Sequence, residues 1–205
     1  MVPPQATGEV EMVLNLDSNS STNTWDIRDP GGTSHYSTAV TIYDTLGQSH
    51  TIQIYFTKND AQSWEWNATI DGSDVEGGTP GTPVLYGSGT IAFDTSGQIT
   101  TAMPVDFYTE SITFANGIDA SEIDLDLTGT TQYGSASSIQ SITQDGYAAG
   151  TISGITITPE GTIVGHYTNG VVKNIAQLAL ADFANLYGLE TVSYTHLTLP
   201  TNREV

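Results

Sequence analysis

Apolar and polar residues alternate along much of this chain, and a period of two places one set of side chains on the buried face of a β-strand. From Val10 onward, Val10, Met12, Leu14 and Leu16 fall on one face, with Glu9, Glu11 and Asn15 on the other. Val40 and Ile42, then Ile52, Ile54 and Phe56, then Trp64, Trp66, Ala68 and Ile70 continue the pattern, with turns over residues 44–48 and 58–63. These three stretches predict an antiparallel meander. Residues 90–93 and 98–101 flank DTSG in a hairpin pattern. Residues 111–114 and 123–127 predict two more strands, the second with Ile123, Leu125 and Leu127 inward and Asp124 and Asp126 outward. Strands follow over 150–158, 162–167 and 171–183, joined by PEG and TNG turns. In the last of these Ala and Leu pull towards helix, while the turn before it favours a hairpin.

Three segments interrupt the alternation. Residues 71–89 (DGSDVEGGTPGTPVLYGSG) are rich in Gly, Pro and acids and read as a mobile surface loop. Residues 17–32 and 128–144 are polar and aperiodic and read as linkers into and out of a module. No fixed-period repeat occurs, which argues against solenoids and propellers.

Composition narrows the class further. Thr (31), Ser (18) and Gly (21) make up about a third of the 205 residues, whereas charged residues reach only 13%, a balance that favours strands and turns over long helices. Against 23 acids stand Arg28, Lys58, Lys173 and Arg203, for a formal charge of −19. That excludes a phosphate-tracking nucleic-acid surface and a polybasic membrane anchor. With no Cys there is no disulfide framework and no thiolate nucleophile, and His35, His50, His166 and His196 are scattered. No run of eighteen apolar residues suits membrane insertion, and the start, MVPPQATGEVEM, lacks the pattern of a cleaved secretory signal.

Reactive constellations are weak. Asp119, Glu122, Asp124 and Asp126 crowd one segment and Asp71, Asp74 and Glu76 another. Neither has the spacing of a calcium loop, so both read as solvated faces and no metal site is assigned. Trp25, Trp64 and Trp66 with Tyr43 and Tyr55 could line a sugar platform, but the alternation of Trp64 and Trp66 with Glu65 and Asn67 puts both indoles in a core. The nucleophile elbow, phosphate loop, HExxH and dinucleotide fingerprint are missing. No catalytic residue and no cofactor is expected, and the profile is that of a structural or binding protein.

Four stretches, in order, resemble one family, the bacterial flagellar hook protein and its rod relatives. Residues 4–16 (PQATGEVEMVLNL) are similar to its strand leading outward from an inner domain. Residues 37–56 (STAVTIYDTLGQSHTIQIYF) are similar to its outer-domain turn signature, here Tyr43, Asp44, Leu46, Gly47 and His50, with Thr45 where Ser is usual. Physically, Asp44 would cap the turn, Gly47 would take a positive φ and Leu46 would plug the hairpin end. Residues 89–97 (GTIAFDTSG) resemble a later hairpin, and residues 144–184, with QDGYAAG, GTIVGHYTNG and AQLALADFA, the start of the shared carboxy-terminal region.

The resemblance implies an all-β chain of two domains. An outer antiparallel barrel or sandwich over residues 18–140 would be inserted into a partial inner domain of 1–17 and 141–191, with hinges at the two linkers. It further implies a subunit that polymerises with copies of itself and meets hook cap, rod and hook–filament junction proteins. It would be exported to the flagellum, outside the cell, by the flagellar export apparatus. The contact candidates are Asp145, Gly146 and Tyr147, and in the outer loop Gly77, Tyr86 and Gly89, although Gly146 and Tyr147 suit their own turn and core better than a contact. The terminal helices of the family are not seen, so the chain reads as an internal fragment. Residues 192–205 (VSYTHLTLPTNREV) resemble a translated library adapter and read as a non-native tail. The alternative reading is a secreted carbohydrate-binding or adhesin-like β-module using the aromatics. An enzyme rival would be a calcium-dependent glycoside hydrolase.

Overall fold

The structure, a computed structural model, describes residues 1–107, 112–179, 190–192 and 196–198. It is almost entirely β and divides into two compact units, residues 1–151 and residues 152–205.

In the first unit β1 (Glu9–Asn15) is followed by a single helical turn, α1 (Pro30–Thr33), which Asp29 caps by accepting from the Gly32 amide. The predicted meander then forms as β2 (Tyr36–Tyr43), β3 (Ser49–Asp60) and β4 (Ser63–Asp71). A 3₁₀ turn, η1 (Gly72–Asp74), leads to β5 (Pro83–Ala92), and these four strands form one antiparallel sheet in the order β2-β3-β4-β5. Two short strands, β6 (Val105–Asp106) and β7 (Asp124–Asp126), and then β8 (Ser138–Gln144) join β1 in a second sheet of order β6-β7-β1-β8. There β1 runs parallel to β7 and antiparallel to β8. Both sheets are open, so the first unit is not a closed barrel.

One core joins the two sheets. Val10, Met12, Leu14 and Leu16 from β1 and its end are fully buried with Ile52, Ile54, Phe56, Trp64 and Ala68 of the meander and Leu125 of β7. Trp64 and Trp66 are therefore core residues, as the alternation requires.

Two expectations are corrected. Residues 83–89 are no loop: they begin β5, whose register against β4 runs from Asp71↔Pro83 to Ser63↔Ala92. The glycines that suggested a loop serve the packing, since a Cβ at Gly89 would lie 2.8 Å from the Trp66 ring. Residues 138–144 of the expected return linker are β8, paired with β1 from Val10↔Gln144 to Asn15↔Ser138. The two compact units divide between residues 151 and 152, and within the first the apolar face of β1 lies in the same core as the meander.

The other predicted strands fall close to their places. The DTSG turn closes with Asp94 N donating to Gln98 O, and its far arm pairs by a single bridge, Phe93↔Ile99. Of residues 111–114, Ser111 lies outside the described residues, while Thr113 and Phe114 form isolated bridges to Asp119 and Val75.

The second unit contains an antiparallel sheet of β9 (Ile152–Ile157), β10 (Thr162–Tyr167) and β11 (Val172–Gln177), in the order β11-β10-β9. A separate pair joins β12 (Glu190–Val192) and β13 (His196–Thr198). The TNG turn thus leads into a strand, and the predicted end of that strand, 180–183, lies outside the described residues.

Candidate functional site

Asp44 organises the turn between β2 and β3. Its Oδ1 accepts from the amides of Leu46 and Gln48, both at 2.9 Å, and its Oδ2 accepts from Asn116 Nδ2 and lies 3.5 Å from His50 Nε2. Burial alone would push this carboxyl up, but the hydrogen bonds from Asn116, the Gln48 amide, His50 and the Leu46 amide outweigh it and hold it below the ordinary carboxylate range. His50 is buried and stacks flat on Phe114 with ring centroids 3.8 Å apart. Among the described residues its Nδ1 has no hydrogen-bond partner, and it lies 3.9 Å from Asp74 Oδ2. The turn is thereby tied to η1 and to the 113–119 hairpin.

Gly47 adopts φ 80°, as expected, and a Cβ there would lie 2.5 Å from the Pro4 side chain and 3.3 Å from Ala148 Cα. Leu46 does not plug the hairpin end: at 64% exposure it stands in solvent at the tip, because the turn closes through Asp44 and needs no apolar plug.

The QDGYAAG segment lies against the same place. Asp145 Oδ1 accepts from the amides of Gly8 and Glu9, at 2.8 and 3.1 Å, and so caps the start of β1. Gly146 is buried, and a Cβ there would lie 2.3 Å from Thr7 Oγ1. Tyr147 exchanges two backbone hydrogen bonds with Gln5, both 2.9 Å. Thr7 joins the pieces: its hydroxyl accepts from Tyr43 N at 2.9 Å and donates to Gln144 Oε1 at 3.0 Å, and its own amide donates to Tyr43 O. Thr7, Pro4 and Asn116 carried no sequence signal, since their roles come from segments up to 137 residues away.

The outer-loop candidates separate. Gly77 is exposed at φ 71° with open space around it. Tyr86 is fully buried, 5.6 Å from the Phe107 ring, and so offers no surface to another molecule, while Gly89 lies against Trp66. Trp25 packs on Tyr55 with centroids 6.2 Å apart. Asp71 accepts from the Ser73 and Gly81 amides, which, after the Ser73 side-chain bond, lower its pKa. Asp119 accepts from Thr113 Oγ1.

Beside this junction the edges of the two sheets part to leave a slot of 390 Å³. It is lined by Ala39, Val40 and Thr41 of β2 and Ile142, Thr143 and Gln144 of β8.

The family model described as "Flagellar basal body protein FlaE D2 domain" matches residues 15–147, nearly the whole first unit. The chain belongs to this family. The FlaE D2 domain thus covers the Asp44 turn and ends at Tyr147, ahead of β9. Among curated relatives, the "Flagellar hook protein FlgE" of Treponema pallidum is 31% identical over 92% of this chain and 48% of its own length. That of Salmonella typhimurium is 30% identical over 92% of this chain and 46% of its own. The chain spans about half the length of these relatives. Among solved structures, the Helicobacter pylori flagellar hook protein FlgE2 shares the fold at a TM-score of 0.52 and 23% identity, over 77% of this chain and 35% of that one.

Proposed function

We propose that this chain is part of a structural subunit of the bacterial flagellar hook, the tube that couples motor to filament. The observation that carries the proposal is the match to hook proteins along 92% of the chain, together with the family model over the first unit. The role is mechanical. Subunits meet in heterologous contacts that do not close, so a helical polymer grows. Surfaces rich in Thr, Ser and Gly, with bridging water, let such contacts slide as the tube bends.

On this reading the first unit is the outward-facing domain and the β9–β11 sheet belongs to an inner one, which the two compact units support. Asp145, Gly146 and Tyr147 act within the subunit, holding the start of β1 against the Asp44 turn, so that load enters a braced junction. The partners are other copies of the chain, with hook cap, rod and hook–filament junction proteins at the ends of the tube. The location is the external flagellum, reached through the flagellar export apparatus.

Antibodies raised against this chain test the reading by immunogold labelling of the cells that make it. Labelling of the short curved segment between cell body and filament is expected. Labelling confined to the filament, or to the cytoplasm, would overturn it.

A further inference from the structure

The slot between β2 and β8 is bordered by backbone that each sheet leaves unused. Asp44 N donates to Gln48 O at the closed end of the β2–β3 ladder, whereas Tyr43 exchanges its hydrogen bonds with Thr7 on the opposite side. The register of β2 on β3 is unbroken from Tyr36↔Phe56 to Tyr43↔Ser49, so the period of two points the N–H and C=O groups of Thr41 and Ala39 away from β3 as well. In the other sheet, Leu14 turns its amide and carbonyl towards Thr130 and Thr131, away from β8. Val10 and Met12 share that parity, so the positions opposite them, Gln144 and Ile142, turn their backbone groups out of the ladder. Thr7 already uses the first place along this edge, at Tyr43. The six lining residues carry no charge, in a first unit that holds 19 acids against Arg28 and Lys58.

The chain carries an edge strand suited to such a slot. Among the described residues β9 lies at the margin of its three-stranded sheet; its sequence, ISGITI, has no charge and no Pro, and its one register shift against β10 falls at Ser153, leaving Gly154 to Ile157 regularly paired. Ile152, Ile155 and Ile157 are 47%, 59% and 59% exposed. Edge strands are ordinarily blunted by Lys, Pro or bulges, and the stretch of β9 from Gly154 to Ile157 has none of these. Residues 152–179 contain one acid, Glu160, and one cation, Lys173, so this segment approaches another copy's strongly acidic first unit without like-charge repulsion.

We propose that β9 of one copy adds as a strand to the β2–β8 slot of a second copy, a heterologous contact that propagates in an open chain. This rests on the self-assembly reading and names one of its contacts.

A labelled synthetic peptide of residues 151–158 is the first probe. It binds the full chain, and Ala39→Pro, which removes an outward N–H and leaves the β2–β3 ladder intact, weakens binding by about tenfold or more. Thr41→Lys, on an exposed side chain, has the same effect should the proline variant fold poorly. In sedimentation velocity the unaltered chain forms concentration-dependent oligomers, and Ala39→Pro and Ile155→Lys each abolish them. An equimolar mixture of those two variants forms a dimer and nothing larger, since one supplies an intact strand and the other an intact slot. Equal peptide binding to both slot variants overturns the proposal, as does a chain monomeric at every concentration. So do oligomers indifferent to Ala39→Pro and Thr41→Lys, which would mean packing through another surface. These outcomes are independent of where antibody labels the cell, so the contact can fail while the hook reading stands.

Discussion

Asp44 carries more of the local structure than any neighbouring side chain, because one buried carboxylate satisfies two backbone amides and one amide side chain at once. Asp44→Ala costs about 1–3 kcal/mol, the range for leaving such donors unpaired, measured by urea unfolding. The carboxyl is held below its ordinary value, so its contribution is present above the unfolded-state pKa, about 4, and is lost as pH falls through the lower folded value. The stability gap between the natural chain and Asp44→Asn should therefore be full at pH 7 and shrink only below about pH 4. A gap that instead closes between pH 7 and 6 would overturn this assignment to the Asp44 carboxyl. Gly89→Ala drives a methyl to within 2.8 Å of the buried Trp66 ring and should cost about 1–3 kcal/mol, with a change in near-ultraviolet circular dichroism. Asp44 and Gly47 were legible from residue type and spacing, since capping and positive φ are local properties. The burial of Tyr86 and exposure of Leu46 were not, because neither follows from nearest neighbours along the chain.

At the level of strands, the alternating stretches formed almost where the pattern put them, and the failures have a common cause. β5 and β8 are edge strands whose Gly, Pro, Ser and Gln content suits partial exposure, so each looked like a loop until a neighbour supplied hydrogen-bond partners. The parallel pairing of β1 with β7 spans more than a hundred residues and has no local signature. Thr7, a residue only 1% exposed, bridges the two sheets through its hydroxyl. Thr7→Val keeps the shape but leaves the Tyr43 amide without its acceptor. We expect a loss of about 1–3 kcal/mol and faster hydrogen exchange at Tyr43, with amides in the middle of β3 unchanged. Unchanged exchange at Tyr43 would mean that water takes the place of the hydroxyl at no cost.

For the molecule as a whole, the first unit contains the large aromatic core and closes its own N-terminal edge through the Val2↔Gly150 bridge. A chain ending at Thr151 should keep a cooperative thermal transition followed by Trp fluorescence; a broad, non-cooperative one would show that the first unit is not self-sufficient. With a formal charge of −19, self-association should strengthen from low to about 0.15 M salt as the Debye length falls to about 8 Å. Weakening with salt, read by sedimentation, would reveal an attractive ionic contact. The sequence by itself determined the class of fold, the meander, the Asp44 turn and the strongly acidic character, because each depends on residues within a few positions of one another or on a simple sum. Only the tertiary structure decided that β1 shares a core with the meander, that β5 and β8 are strands, and that two sheet edges stand open beside each other. Those features depend on which distant segments reach each other's backbone hydrogen bonds and apolar faces, and that is settled when the chain packs.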